Sequence, residues 1–349
     1  MEVGSEFPND SIMIGRAKHK DLVDADKRYA LSGRTALSHI IDDIKCKLEI
    51  KRVAMPAYCC GSMIAPFVEA DIETLFYSGL STDIEAVISR VEAVLVLDYF
   101  GFIRDQASTI ARLSKALRKV LIVDATQTAF SSSPAYSDAD YIFVSYRKWF
   151  DALCAAVYCR NGFIVRDCQR KHYEYVNLWR QAAVEKEYYL KTGRGDKQHY
   201  MSLYKVANTI LDKDYVGYTA SEVDIEKIEF VDADCLIQKR RTNAEYLIGE
   251  LNKYMSNQDC RPYNLLYSEL HDEDCPLFVP VLVSAESRDQ TRKRLIEIGV
   301  YCPTHWPINE VYPHFRTKEH DSEISLICDQ RYGPETMKRE VAAFIKALD

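Results

Sequence analysis

The sequence predicts an α/β fold, a three-layer sandwich with a mostly parallel sheet followed by a smaller C-terminal α/β domain. Two patterns carry this reading. Between residues 52 and 144, short apolar runs rich in β-branched residues alternate with segments whose apolar positions fall three or four apart. Buried parallel strands and their crossover helices read this way. Over the 349 residues, 47% are hydrophobic and 28% charged, which supplies a large core and excludes a disordered or fibrous chain.

The spacing predicts strands at 52–55, 72–76, 93–97, 120–123 and 141–144. Crossover helices are expected between and before them, at 35–48, 62–69, 83–91 and 105–118. Strand, helix, strand repeated in this way leaves few alternatives to a sandwich. After Lys148 the pattern changes, and residues 154–166 read as an antiparallel hairpin about Arg160-Asn161-Gly162. Residues 166–190 contain no Pro or Gly and read as one long, aromatic helix, broken at Gly193-Arg194-Gly195-Asp196 and followed by a second helix to about Leu211. The remainder reads as a helix at 235–254, a strand at 278–283, a helix at 288–298 stopped by Gly299, a strand at 324–327 and a helix at 335–348. These elements place a large domain at 1–220, with residues 1–28 packing on the small domain, and a small domain at 221–349.

Composition narrows the function classes. With 45 Lys and Arg against 52 Asp and Glu, the net charge is −7, which argues against nucleic acid as a partner. The eleven cysteines are odd in number and scattered through apolar runs, so reduced thiols and a cytoplasmic location are expected. No Cys-x-x-Cys occurs, and adjacent Cys59 and Cys60 cannot wrap a tetrahedral zinc. No metal is expected. Residues 1–20 lack the basic end and apolar run of a signal peptide, and no apolar stretch is long enough to span a membrane.

Four features could carry chemistry. Ser32-Gly33-Arg34-Thr35-Ala36-Leu37 puts small and hydroxylated residues at a helix start, where free N–H groups bind anions, although a simple Ser32 cap fits as well. Asp124 follows the run 120–123, at the strand edge where open α/β sheets bind ligands. Lys148 closes Ser145-Tyr146-Arg147-Lys148 at the next strand end, before Trp149-Phe150, and apolar neighbours lower a lysine pKa. Cys328-Asp329-Gln330-Arg331-Tyr332 follows another strand, with His305-Trp306-Pro307 upstream. Its arginine could fork a carboxylate or form an ion pair with Asp329 or Glu335.

Together, a phosphate cradle, a carboxylate and a lysine at neighbouring strand ends are what pyridoxal 5′-phosphate chemistry requires. The lysine holds the aldehyde, the carboxylate pairs with the pyridinium nitrogen, and the helix start holds the phosphate. On these residues the chain resembles the DegT/DnrJ/EryC1/StrS family of fold type I pyridoxal-phosphate enzymes, the sugar aminotransferases. Met55-Pro56-Ala57-Tyr58-Cys59-Cys60 and Asp124-Ala125-Thr126-Gln127-Thr128 match further family stretches. Val3-Gly4-Ser5-Glu6-Phe7 and the stretch from Cys328 to Tyr332 resemble a divergent branch often found with surface-polysaccharide genes.

The resemblance implies that Lys148 is the Schiff-base lysine and proton shuttle, Asp124 the pyridinium partner, and Gln127 a neighbour of the ring hydroxyl. It places Gly33, Arg34, Thr35 and Ser145 on the phosphate, Tyr58 or Cys60 against the ring, and Arg331 and His305 on the substrate. The implied activity is aminotransfer from glutamate or glutamine to a nucleotide-linked keto sugar by a homodimer. Ser145-Tyr146-Arg147-Lys148 stands where such enzymes carry Ser-Phe-His-x-x-Lys, and no Asn-Tyr-Arg-like partner loop occurs between Met201 and Tyr218. Dehydration or condensation on the same cofactor, or a binding or regulatory role without turnover, are the alternatives.

Overall fold

The computed structural model describes residues 2–9, 14–80, 83–258, 261–308, 311–312 and 316–348. In chain order, β1 (Val3–Gly4) and β2 (Asp26–Ala30) precede α1 (Gly33–Lys47), β3 (Arg52–Pro56), α2 (Gly61–Glu69), β4 (Glu73–Tyr77) and α3 (Ile84–Ser89). There follow β5 (Ala93–Val96), α4 (Asp105–Ala116), β6 (Val120–Asp124), α5 (Ala135–Asp138), β7 (Tyr141–Ser145) and a 3-10 turn, Tyr146–Lys148. The five predicted strands and four crossover helices in this stretch all form, within two residues of their expected bounds.

Seven strands make the main sheet, in the order β2-β8-β7-β6-β5-β3-β4, where β8 is Ala155–Cys159. From β7 to β4 all neighbours are parallel, and β8 runs antiparallel between β7 and β2. Alternate residues of a strand face opposite sides, so two cores form. Val53, Met55, Leu95, Ile122 and Phe143 pack with Ile40 and Ile44 of α1 and Phe67 of α2. Ala54, Val94, Val96, Val123 and Ile142 pack with Ile88 of α3 and Ile110 of α4. This is the expected three-layer sandwich.

The hairpin expected at 154–166 is not there. Strand β8 forms, but both its edges are taken by β7 and β2, so no edge remains for a returning strand. The amides beyond Gly162 turn to carboxylates instead: Phe163 N–H donates to Asp26 Oδ2 (3.1 Å), and Ile164 and Val165 N–H donate to Asp43 Oδ1 (2.7 and 3.0 Å).

The long helix α6 (Tyr173–Thr192) starts seven residues later than expected, where the His172 side chain accepts from Tyr175 N–H. It ends at Gly193, which adopts φ +67°. Helix α7 (Lys197–Lys213) packs against it through Tyr175, Trp179, Ala182, Tyr200, Tyr204 and Ala207.

Beyond lie α8 (Glu222–Glu229), α9 (Ala233–Ser256), β9 (Tyr263–Leu265), β10 (Val279–Val283), α10 (Arg288–Glu297), β11 (Val300–Tyr301), α11 (Lys318–Ser322), β12 (Glu323–Leu326) and α12 (Pro334–Leu348). Strand β10 is the centre of a small antiparallel sheet between β12 and β9, with Leu247 of α9, Leu295 of α10 and Phe344 of α12 in its core. The first strand closes the fold, because β1 pairs in parallel with β11.

Candidate active site

A cleft of about 600 Å³ opens where the carboxyl ends of β6 and β7 face the small sheet. This volume suits a cofactor or small ligand. Strands β6 and β7 are paired neighbours, with Asp124 opposite Phe143, so their ends deliver Asp124, Ser145 and Lys148 to one wall. The turn carrying Lys148 is fastened by Trp149, whose indole N–H donates to Thr126 O (2.8 Å) and whose carbonyl accepts from Gln330 Nε2 (2.7 Å). Arg240, fully buried, lies over the Trp149 ring and binds the carbonyls of Pro276 and Leu277.

The Asp124 carboxylate is buried and accepts from Thr126 N–H (2.8 Å). Burial pushes its pKa up to about 6, against hydrogen bonds from Thr126 and the Lys148 charge. It has no ion pair among the described residues. Lys148 is exposed to the cleft, and the protein crowded around it lowers its pKa, with the Arg147 guanidinium adding to the effect and the Glu6 and Asp124 carboxylates opposing it.

Beside the end of β7, next to Ser145, α1 begins. Ser32 caps it by accepting from Thr35 N–H (3.2 Å), and Ser32, Gly33 and Arg34 line the cleft. The cap is made, and the helix start faces the cavity. A Cβ on Gly33 would lie 3.2 Å from Ser145 Cβ, tight enough that one of the two must shift. Arg34 is tethered to Asp212 (2.9 Å).

Not every predicted residue reaches the cleft. Thr35 is fully buried and donates its hydroxyl to Tyr215 O (2.7 Å). Of the pair Tyr58 and Cys60, Cys60 lines the cleft and Tyr58 sits behind it, packed on Tyr99 and Trp306 with its hydroxyl donated to His305 O (2.5 Å). Gln127 lines the cleft, and its carboxamide oxygen accepts from Phe100 N–H (2.5 Å). Only the oxygen end can meet an N–H donor. His305 lines the cleft too.

Arg331 also lines it, but its fork is occupied. Nε and Nη2 donate to the two oxygens of Asp329 (2.9 and 2.7 Å), and the remaining contacts go to the carbonyls of Ser5 and Glu6. Although burial pushes Asp329 up, the Arg331 charge holds it below the usual carboxylate range. The ion pair weighed from sequence is therefore present.

Sequence reasoning expected residues 1–28 on the small domain, where the strand pairing of Val3 and Gly4 puts their start, but missed the part this N-terminal strap plays in the site. Gly4, at φ +87°, donates its N–H to Tyr332 Oη (2.9 Å), Phe7 lies under the Arg331 guanidinium, and Glu6 enters the cleft. Buried Lys186 of α6 binds Ser5 Oγ (3.1 Å) and Glu6 O. Burial, helped by the Arg331 charge, lowers its pKa to about 7. The Val3 to Phe7 and Cys328 to Tyr332 stretches, noted separately in the sequence, are thus each other's partners. Asn208 and Arg292 line the cleft as well.

No family model matches this sequence, and no curated protein matches it. Solved structures do. Helicobacter pylori PseC, an aminotransferase involved in the biosynthesis of pseudoaminic acid, aligns over 100% of this chain and 99% of its own at 13% identity, with a TM-score of 0.65. NtdA from Bacillus subtilis with bound cofactor PMP aligns over 94% of this chain and 74% of its own at 15% identity, TM-score 0.65. The PLP form of Spr1654 from Streptococcus pneumoniae aligns over 100% and 99% at 12% identity, TM-score 0.64. The fold is that of these proteins.

Proposed function

We propose that the chain is a pyridoxal-phosphate-dependent aminotransferase that moves an amino group from glutamate or glutamine to a nucleotide-linked keto sugar, in amino-sugar or surface-polysaccharide synthesis. One observation carries the reading. Asp124 is a buried carboxylate without an ion-pair partner among the described residues, at a strand end beside Lys148. A protonated pyridine nitrogen would complete it.

The rest of the cleft fits the same group. The contact between Gly33 and Ser145 and the α1 start beside them suit a phosphate. Gln127 presents its amide nitrogen end, and Cys60 rather than Tyr58 stands where a ring would lie. When bound, the cofactor supplies an aldehyde for the amine and an electron sink for the carbanion. The protein's share is binding and proton movement: Lys148, its pKa lowered by burial, would hold the aldehyde and move a proton to and from the substrate carbon.

PseC, described as an aminotransferase, and the cofactor-bound forms of NtdA and Spr1654 support this reading. Residues 1–220 would form the cofactor domain and 221–349 a small domain closing on it. A homodimer accords with the apolar side chains left outside on α6 and α7, among them Tyr173 (72% exposed), Tyr188 and Met201 (53% each), and a cytoplasmic location with cysteines that make no disulfide among the described residues. Among the described residues no helix is long and apolar enough to cross a membrane. Mass spectrometry of the cofactor after incubation with single amino acids tests the function: conversion to pyridoxamine phosphate by glutamate or glutamine is expected, and no conversion by any amino acid would overturn it.

A further inference from the structure

The cleft holds a second group built for proton transfer, on the side facing Lys148's domain from the small sheet. His305 lies against Phe100, Phe278 and Trp306, with ring centroids 5.2 to 5.4 Å away. Its Nδ1 is 3.0 Å from Ser325 Oγ, and Ser325 Oγ is 2.5 Å from Oε1 of Glu323. Glu323 is fully buried, and its other oxygen accepts from the His305 backbone N–H (2.6 Å).

The proton count fixes the direction of this chain. A carboxylate can only accept, so Ser325 spends its single hydroxyl proton on Glu323. Ser325 must then accept from His305, which puts the imidazole proton on Nδ1. A neutral imidazole carries one proton, so Nε2 is left with a bare lone pair. That nitrogen has no hydrogen-bond partner among the described residues, and it is not among the buried polar atoms left unpaired. It is open to the cleft that His305 lines.

We propose that His305 is a proton acceptor for the substrate, its Nδ1–H tautomer set by a His305–Ser325–Glu323 relay that leaves Nε2 free. Its task in the proposed function, on which this role rests, is the amine itself. An amino donor arrives as an ammonium and is no nucleophile until it loses a proton. One N–H bond of the ammonium breaks, an Nε2–H bond forms, and the electron pair stays on the amine nitrogen. The imidazolium charge is then balanced by buried Glu323 through Ser325, and the proton leaves to solvent through the cleft. Ser325 and Glu323 are positioning residues in this scheme. A purely structural His305 would need neither a fixed tautomer nor an open nitrogen.

The test reads the tautomer and the chemistry separately. In the full-length protein with nitrogen-15 histidine, NMR of the neutral imidazole should place the His305 proton on Nδ1. Ser325→Ala should abolish that preference. His305→Asn keeps a donor near Nδ1 but removes the acceptor, so cofactor uptake should be unchanged while the half-reaction with glutamate or glutamine slows about a hundredfold. A proton on Nε2 in the unmodified protein, or a His305→Asn half-reaction at the unmodified rate, overturns the inference. Failure of the protein to take up pyridoxal phosphate would overturn the proposed function and the amine's role with it. The tautomer is read in either case.

Discussion

Replacing Asp124 with Asn should have opposite signs with and without cofactor. Burial moves this carboxyl from 3.8 to about 6, which corresponds to about 3 kcal/mol against its ionised form. Well below pH 3.8 the group is protonated in the folded and unfolded states alike, and no penalty is present. Between 3.8 and about 6 the unfolded chain ionises while the folded one still holds its proton, so the penalty builds across that window and is present in full above it. Asn has nearly the same shape, can still accept from Thr126 N–H, and carries no charge to bury. The cofactor-free variant should therefore be more stable than the unmodified protein at about pH 8, by up to about 3 kcal/mol or about 5 °C in melting temperature, and nearly equal to it near about pH 3. With cofactor the sign reverses, since the lost contact to the pyridinium costs on the order of 3 kcal/mol, or a hundredfold in turnover. Thermal melts of cofactor-free protein at the two pH values, alongside turnover of the loaded protein, measure both. A variant that is less stable at pH 8, or one that turns over normally when loaded, would refute the reasoning.

Three further outcomes are expected. Gly33→Ala should weaken cofactor uptake about tenfold, or about 1.4 kcal/mol, because the new Cβ meets Ser145 at 3.2 Å; titration of the cofactor-free protein measures it. Arg331→Lys should lower the melting temperature, by a loss of about 2 kcal/mol, since lysine cannot reproduce the Asp329 fork and the bonds to Ser5 and Glu6. Unchanged stability with weakened donor binding would instead restore the substrate-anchor role. Lys186, with its folded pKa near 7 against 10.5 unfolded, binds fewer protons folded than unfolded between those values, so stability should rise with pH across that window. In Lys186→Met that rise should disappear from denaturation curves.

The parallel strands were legible because strands buried on both faces are continuous apolar runs, as at Val120 to Val123. Strand β2 was not, because Asp26-Lys27-Arg28-Tyr29-Ala30 is a charged edge strand paired on one side only. Strand ends fixed the places of Asp124, Ser145 and Lys148. Side-chain direction is not written in the sequence in the same way, so Thr35 and Tyr58 were expected in the cleft and lie behind its walls. The strap was expected on the small domain, but its partner there was not legible, for another reason. Gly4 and Tyr332 are 328 positions apart, and no local pattern announces a contact over that distance.

The central claim is that Lys148 carries the cofactor, and borohydride tests it most directly. Protein incubated with pyridoxal phosphate should turn yellow, lose the colour on reduction, and yield on digestion a single pyridoxyl-labelled peptide with the label on Lys148. A label on any other lysine, or none, would contradict the account.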